Sequence, residues 1–343
     1  MEPLTIKTPA DVLSFVGHTL GFWPQESLVC ITLDANRVGA TLRVDLPTRA
    51  GGLSYARTVA DYLAHDTSAA SVLFAVYTSE PQKPGQPRPH AATIAALTGA
   101  LAERGMTLRD GLLVGDDTVS PYDGDPRVSV TLPLSATQSS QINAEFVYRG
   151  STIEPTNCIT LPTSKKETRT ADAVDDRVKT ILRMNGSEAL EQGRALWAGM
   201  LEAISYPDDD QTISLIANFQ VPAVRDQLMA DIPGIDEPMD RVLLAQTDGK
   251  PQWSRVEWAQ QLLLHAYTHS STDHSAPILT AIAYVNWWEG RGSKAHQFLQ
   301  LALEADPAYR LARLSDMMIG SGMVAGWNMD KDRAFRPRGL EAS

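Results

Sequence analysis

The fold of the first half of the chain is decided by two short segments, Leu28-Val29-Cys30-Ile31-Thr32-Leu33 (28–33) and Thr41-Leu42-Arg43-Val44-Asp45-Leu46 (41–46). The first is a continuous apolar run, and the second alternates apolar and polar residues with a period of two, as β-strands do. Residues 34–39 between them supply the Asp, Asn and Gly that turns favour. The two segments therefore predict an antiparallel hairpin.

Helices and strands alternate on both sides of this hairpin. Thr8-Pro9-Ala10-Asp11 is typical of a helix N-terminus, and apolar residues at helical spacing predict a first helix over 9–20. After the hairpin, the patterns predict a helix near 53–65, a buried strand over 71–77, a helix over 91–104 and a strand around 107–115. This ββαβαβ-like order predicts an α/β domain with a mixed sheet over residues 1–150.

The second half of the chain has a different pattern. Residues 151–171 are rich in Pro, Thr and Ser and lack sustained periodicity, which is typical of a linker. Nine helical patterns follow one another between 172 and 320, and no strand pattern interrupts them. The sequence therefore predicts an all-α domain over 172–326, followed by a disordered tail over 327–343.

Residues 276–309 match the tetratricopeptide repeat (TPR), a helix pair of about 34 residues. Small residues stand where the two helices would approach closely, Gly290 stands at the turn, and Pro307 ends the second helix. One such unit cannot bury both of its faces, because arrays usually need about three units. Two interpretations stay open for this TPR-like pair: a packing element of the helical domain, or a peptide-binding groove.

Five motifs in the chain point to a family. They are Thr-Pro-Ala-Asp-Val-Leu at 8–13, Leu-Gly-Phe-Trp-Pro-Gln-Glu-Ser-Leu-Val at 20–29, Arg-Val-Asp-Leu-Pro at 43–47, Val-Arg-Asp at 224–226, and Leu-Glu-Ala-Asp-Pro-Ala-Tyr-Arg-Leu-Ala at 303–312. Together they resemble an uncharacterised actinobacterial family, domain-of-unknown-function family 4192. The likeness extends over most of residues 5–320. The resemblance implies a helical C-terminal part and brings no assigned activity.

Composition excludes several classes of protein. The chain carries 30 Lys and Arg against 41 Asp and Glu, a formal net charge of −11, which repels nucleic-acid phosphates. Its two cysteines cannot build a disulfide framework, and no apolar run reaches the length of about 18 residues that could span a membrane. With no secretory signal pattern, the sequence predicts a cytoplasmic protein that binds neither nucleic acid nor a membrane.

The sequence also lacks the motifs by which nucleotide-binding proteins and hydrolases are recognised. It contains no phosphate-binding loop, no dinucleotide-binding glycine motif and no Gly-x-Ser-x-Gly elbow. No cofactor is therefore expected, and whether the protein is an enzyme stays open.

One polar cluster is a candidate ligand site. If the two strands pair, Glu26 and Ser27 at the start of the first lie beside Arg43 and Asp45 at the end of the second. The guanidinium could hold a small polar or anionic ligand through two contacts, and Ser27 adds a hydroxyl. The alternative is structural: Arg43 pairs with Glu26 or Asp45 and satisfies polar groups at the end of a partly buried hairpin.

His265 and His269 form a second candidate. They stand four residues apart in a helical pattern, a spacing that can present two ring nitrogens to one metal ion. The Glu that metalloproteases place after the first histidine is missing. The favoured interpretation is a helix end with surface histidines, and no metal site is predicted.

These observations favour a non-enzymatic cytoplasmic module whose helical domain binds a protein partner or a second copy of the chain. The alternative is a small-molecule-binding or catalytic α/β domain with its site at Glu26, Ser27, Arg43 and Asp45. The two cannot be separated by the fold class, because one fold supports many functions.

Overall fold

A computed structural model describes most of the chain and divides it into two compact units between residues 157 and 158. The described residues are 5–35, 37–47, 52–83, 86–123, 131–148, 151, 153–156, 159, 161–162, 168–203, 205–320, 323–330 and 332–336. The first unit is an α/β domain and the second is helical, which confirms the predicted fold class. No helix of the described part is both long enough and apolar enough to cross a membrane.

A mixed six-stranded sheet, in the order β2-β1-β3-β4-β5-β6, forms the centre of the first unit. Its strands are β1 (Ser27–Asp34), β2 (Arg37–Asp45), β3 (Ser71–Tyr77), β4 (Thr107–Val114), β5 (Thr118–Pro121) and β6 (Leu132–Pro133). β1 pairs antiparallel with β2 and with β3, whereas β3 and β4 are parallel. The predicted hairpin and the predicted buried strand are confirmed.

Helices cover both faces of this sheet. They are α1 (Pro9–Leu20), α2 (Leu53–Leu63), α3 (Ala91–Ala102), a 3-10 helix (Leu134–Ser139) and α4 (Gln141–Tyr148). Alternation along β1 separates two cores, because successive side chains of a strand point to opposite faces. Val29 and Ile31 pack with residues of α1, whereas Leu28 and Cys30 pack with residues of α2 and α3.

The bounds of α1 follow from its capping residues. Thr8 Oγ1 accepts a hydrogen bond from the Asp11 N–H at 3.2 Å, and Asp11 Oδ2 accepts one from the Thr8 N–H at 3.0 Å. Pro9 occupies the first helical turn, where a missing N–H costs nothing. Gly21 ends the helix at a φ of 78°, in the left-handed region. The helix predicted over 9–20 is confirmed.

The elements that follow β4 were not predicted from the sequence. β5 has four residues and β6 has two, which is too short for a periodic pattern. The 3-10 helix is fixed by contacts with α1 that are distant in sequence. Ser14 Oγ donates to the Thr137 carbonyl at 2.8 Å and lies 2.8 Å from Ser140 Oγ.

The second unit consists of helices. Those described are α5 (Thr168–Arg183), α6 (Gly186–Ala203), α7 (Asp209–Gln220), α8 (Pro222–Asp231), α9 (Met239–Leu243), α10 (Trp253–His269), α11 (Thr272–Trp288), α12 (Gly292–Ala305), α13 (Arg310–Gly320) and a short 3-10 helix (Gly326–Met329). Nine of the 21 residues of the predicted linker, 151–171, lie outside the described residues, and its last four, 168–171, belong to α5.

α11 is the central helix of the second unit. Every residue from His274 to Trp288 is buried, so the helix has no solvent-exposed side over that length. Gly290, at a φ of 77°, forms the turn that leads to α12. The short connection makes α11 and α12 adjacent antiparallel helices, and they are in extensive contact. A helix pair is therefore present at 276–309.

The prediction of a disordered tail from residue 327 is wrong for the described part of that tail. Trp327 is fully buried, and its Nε1–H donates to Thr247 Oγ1 at 2.7 Å. Its ring centroid lies 5.6 Å from that of Trp288 and 6.0 Å from that of Trp253. The Trp253 Nε1–H donates to the Arg333 carbonyl at 3.0 Å. The buried indole of Trp327 thus anchors a segment whose other residues are mostly polar. Residues 331 and 337–343 of the predicted tail lie outside the described residues.

Glu289 is a buried carboxylic acid at the C-terminal end of α11. Arg291 Nη1 lies 3.0 Å from Glu289 Oε2, which is an ion-pair distance. The two groups are not aligned as a hydrogen bond, so Oε2 has no hydrogen-bond donor among the described residues. Burial raises the pKa of Glu289 to about 7, against the opposing effect of Arg291. As the pH rises, this carboxyl therefore keeps its proton in the folded protein up to a higher pH than in the unfolded chain.

We predict that Trp327→Ala destabilises the helical unit by about 3–5 kcal/mol, because it removes a large buried ring and leaves a cavity. Met329→Ala is the matched control, since Met329 belongs to the same short helix and is 60% exposed; it should change stability by less than about 0.5 kcal/mol. Urea unfolding followed by far-ultraviolet circular dichroism measures both, and equal effects would contradict the burial of Trp327.

We predict that the stability of the helical unit falls by about 3 kcal/mol as the pH rises from about 4.5 to about 7, because of the raised pKa of Glu289. Below this pH range the Glu289 carboxyl is protonated in both the folded and the unfolded state. Within the range it ionises in the unfolded state but stays protonated in the folded state. Glu289→Gln should remove this slope, and Glu304→Gln, at an exposed carboxylate, should retain it. Urea unfolding at intervals between pH 4.5 and 8 tests this; equal slopes in wild type and Glu289→Gln would refute it.

Candidate functional site

The hairpin brings the predicted polar residues together where β1 begins and β2 ends. Ser27 pairs with Asp45, and Val29 pairs with Arg43, in the antiparallel register of the two strands. The Leu46 N–H donates to the Glu26 carbonyl at 2.9 Å, immediately beyond the last pair. The backbone therefore places all four candidate residues within one short region of the sheet.

Three of the four residues contact one another through their side chains. Arg43 Nε donates to Ser27 Oγ at 2.9 Å, and Arg43 Nη2 lies 2.5 Å from Asp45 Oδ1. Ser27 is fully buried, and its hydroxyl donates to the Gln25 carbonyl at 2.5 Å. The Arg43 side chain is 12% exposed, whereas that of Asp45 is 79% exposed. The Arg43 charge is thus balanced within the hairpin by Asp45. This is one of the two pairings, with Glu26 or with Asp45, that the structural interpretation of the cluster predicts.

Glu26 has a separate set of partners in the loop after β3. Its Oε1 accepts hydrogen bonds from the Ser79 N–H at 2.7 Å and from Ser79 Oγ at 2.8 Å, and its Oε2 accepts one from Thr78 Oγ1 at 3.1 Å. Desolvation opposes ionisation, but these hydrogen bonds, with the charge of His90, lower the pKa of Glu26 below its usual value. The carboxylate therefore fastens the start of β1 to the end of β3.

The backbone of Glu26 is in an uncommon conformation. Its φ is 40°, in the left-handed region that favours glycine. Strain of this kind persists where surrounding contacts fix it, and here Thr78 and Ser79 supply those contacts. Sequence reasoning missed both partners, because they follow Glu26 by 52 and 53 residues and neither belongs to a recognisable motif.

His265 and His269 lie side by side on α10, with ring centroids 4.4 Å apart. His269 Nδ1 lies 2.9 Å from the His265 carbonyl, so this nitrogen is engaged by the helix backbone. Burial, together with the charge of His269, lowers the pKa of His265. Within the described ranges, no group of three or more His, Cys, Asp or Glu side chains is arranged to hold a metal ion.

Cys30 lies in the core on the α2 and α3 side of the sheet and is fully buried. Burial raises the pKa of its thiol to about 12, so the thiol is protonated at neutral pH. It is inaccessible to a substrate and acts as a small apolar side chain. The other cysteine, Cys158, lies outside the described residues.

Arg225 connects the two C-terminal motifs identified in the sequence. Its Nε donates to Asp226 Oδ1 at 2.8 Å, and its Nη1 donates to the hydroxyl of Tyr309. The guanidinium also lies 5.7 Å from the centroid of the Tyr309 ring, a cation–π distance. The Arg225 side chain is 8% exposed. The motifs at 224–226 and 303–312 thus meet at a buried ionic contact that holds α8 to the α12–α13 connection.

The outward face of α13 carries a mixed apolar and basic stripe. Arg310, Arg313, Leu314 and Met317 are all exposed and recur at the i, i+3, i+4, i+7 spacing that places residues on one side of a helix. Leu314 is 47% exposed and Met317 is 64% exposed. This stripe cannot be recognised from the sequence, because apolar residues at helical spacing normally predict a buried face.

We predict that Glu26→Gln destabilises the α/β unit at pH 7 and that this difference disappears in acid. The folded pKa of Glu26 lies below its unfolded value, so its contribution is present above about pH 4.5 and is lost as the pH falls through the folded pKa. Thermal unfolding of both proteins at pH 7 and pH 3.5 measures it. Glu80→Gln, an exposed carboxylate on the same loop, is the control, and an equal loss in both variants would contradict the role of Ser79 and Thr78.

Comparison with known proteins places the chain in a family. No curated protein and no solved structure matches it significantly. A family model described as a domain of unknown function (DUF4192) matches residues 9–324, which include nearly all of both units. The motifs that meet at Arg43 and at Arg225 both lie within that match. The chain is a member of the DUF4192 family.

Proposed function

We propose that the protein is a non-enzymatic association module whose helical unit binds a protein partner. The observation that carries this proposal is the exposed stripe of Arg310, Arg313, Leu314 and Met317 on α13. Apolar side chains on the outer face of a terminal helix are costly in water and are normally covered or replaced by polar residues.

The position of α13 explains why its outer face is free. α11 and α12 form one TPR-like pair at 276–309, and α13 begins at Arg310, in the place of the first helix of a following unit. No further α-helix follows α13 in the described part of the chain, which continues into the segment anchored by Trp327. The array therefore ends on a helix with one packed face and one open face.

The chemistry of the stripe defines the partner. Leu314 and Met317 offer apolar contacts, and the flexible methionine adapts to different shapes. Arg310 and Arg313 lie on the same face and favour carboxylates at the margin of the contact. An amphipathic helix with two or three apolar anchors and flanking Asp or Glu fits both properties.

Charge argues against a second copy of the chain as the occupant. Two copies meeting through this stripe would bring four arginines, and no carboxylate of the stripe, into one interface. Like charges brought together at an interface are unfavourable. An acidic partner helix avoids the local repulsion.

A second candidate function is the binding of a small polar ligand at Glu26, Ser27, Arg43 and Asp45. The observation that favours it is the left-handed backbone of Glu26 beside the exposed carboxylate of Asp45, because strained residues occur often at binding sites. The internal pairing of Arg43 with Ser27 and Asp45 makes it the weaker of the two proposals.

A photo-crosslinking amino acid at Met317, introduced in the native cell, tests the association proposal. We predict that it captures one partner segment with apolar residues three or four apart and acidic neighbours. A synthetic peptide of that segment should bind the full chain saturably and more weakly at high salt. The double variant Leu314→Asp/Met317→Asp should weaken binding at least about tenfold, since charges replace the apolar anchors at exposed sites that tolerate them.

The control is the same crosslinker at Leu182, which is 66% exposed on α5 of the same unit. Capture of the same segment from Leu182 would show that crosslinking does not depend on the α13 stripe and would contradict the proposal. Capture of a second copy of the chain from Met317, with a doubled mass in solution, would overturn the choice of an acidic partner.

A further inference from the structure

A cavity of about 440 Å³ lies in the helical unit between α6, the end of α8 and the start of α10. Its lining consists of Arg194, Ala195, Ala198, Asp231, Gly234, Ile235, Asp236 and Arg255. This volume is in the range that holds small-molecule ligands, and the lining combines apolar side chains with a few charged groups. Neither the association proposal nor the hairpin cluster involves any of these residues.

One of the two arginines in the cavity is already paired. Arg194 Nε donates to Asp231 Oδ2 at 2.7 Å, and Arg194 Nη2 donates to Asp231 Oδ1 at 2.9 Å, a bidentate contact. Gln227 Nε2 adds a third hydrogen bond to Asp231 Oδ1 at 3.0 Å. Arg194 and Asp231 therefore satisfy each other and form a fixed polar wall.

The other arginine, Arg255, lacks a partner. Its side chain makes no hydrogen bond or ion pair with any residue in the described part of the protein, and its Nε is buried without an acceptor. The buried Nε has lost its contact with water without gaining an acceptor, which is unfavourable. Asp231, one of the two carboxylates of the lining, is occupied by Arg194 and Gln227. The cavity thus contains an unpaired cation.

We propose that this cavity binds a small monocarboxylate, whose carboxylate accepts hydrogen bonds from Arg255. A planar carboxylate matches the fork of a guanidinium and supplies the acceptor that the described residues do not offer to Nε. The apolar body of the ligand lies against Ala195, Ala198 and Ile235.

The other charges of the lining select a monoanion. Asp231 and Asp236 both border the cavity, so their carboxylates oppose a dianion such as phosphate more strongly than a single negative charge. A divalent cation would be opposed by the two guanidinium groups of the same lining. The two arginines and two aspartates of the lining sum to zero, and a monocarboxylate adds one negative charge, which lies at Arg255.

Isothermal titration calorimetry on the full chain tests the proposal with three probes: hexanoate, 4-methylpentanoate and 3-phenylpropanoate. We expect saturable one-to-one binding of at least one probe, and at least tenfold weaker binding of the corresponding amide, which has the same shape without the charge. Inorganic phosphate should bind more weakly than that probe. The absence of saturable binding for all three probes at 10 mM, or stronger binding of phosphate, would overturn the proposal.

Arg255→Gln should weaken binding of the probe at least tenfold, whereas Arg183→Gln, at an exposed arginine at the end of α5 in the same unit, should leave it unchanged. Because Arg255 has no side-chain partner among the described residues, Arg255→Gln should not lower the melting temperature of the ligand-free protein. Arg255→Lys keeps the charge without the fork and should also bind more weakly. Equal affinity in Arg255→Gln and wild type, or a large loss of stability in Arg255→Gln, would contradict the site.

Discussion

Helix α11 is buried on all sides from His274 to Trp288, and the rest of the helical unit is arranged to cover it. A helix that is mostly apolar around its circumference is stable only when other elements surround it. α7, α10, α12 and α13 all contact α11. Its last turn is covered by other parts of the chain, because the Trp287 Nε1–H donates to the Met323 carbonyl at 2.8 Å and the Trp288 Nε1–H donates to the Leu243 carbonyl at 3.3 Å.

This requirement links the fold to the proposed function. α13 contacts both α11 and α12 with its buried face, and the chain then leaves the array to return with Met323 and Trp327 to the end of α11. No later α-helix of the described chain packs on the outer side of α13. The same chain path that closes the core around α11 therefore leaves Leu314 and Met317 in solvent, where a partner helix would bury them.

The sequence predicts those features that repeat locally and misses those that depend on distant single contacts. β1, β3 and the bounds of α1 follow from periodicity and capping residues and agree with the structure, whereas β2 begins at Arg37, inside the predicted turn, because backbone pairing with β1 extends past the alternating segment. The anchored tail was missed because its anchor is one indole, Trp327, whose partner Thr247 lies 80 residues earlier. The candidate site was predicted in part: strand register brings Ser27, Arg43 and Asp45 together, but the partners of Glu26 lie on another strand end. The lack of a partner for Arg255 among the described residues is a property of its three-dimensional surroundings and has no local sequence signal.

The central claim, that the open face of α13 is where the protein acts, is tested most directly by hydrogen–deuterium exchange of the full chain with and without its bound partner. We expect slower exchange confined to residues 310–320 and the adjoining chain, since binding there protects the helix backbone against opening. Unchanged exchange over 310–320, with protection instead near the hairpin residues 26–45, would contradict the claim and favour the small-ligand function of the α/β unit.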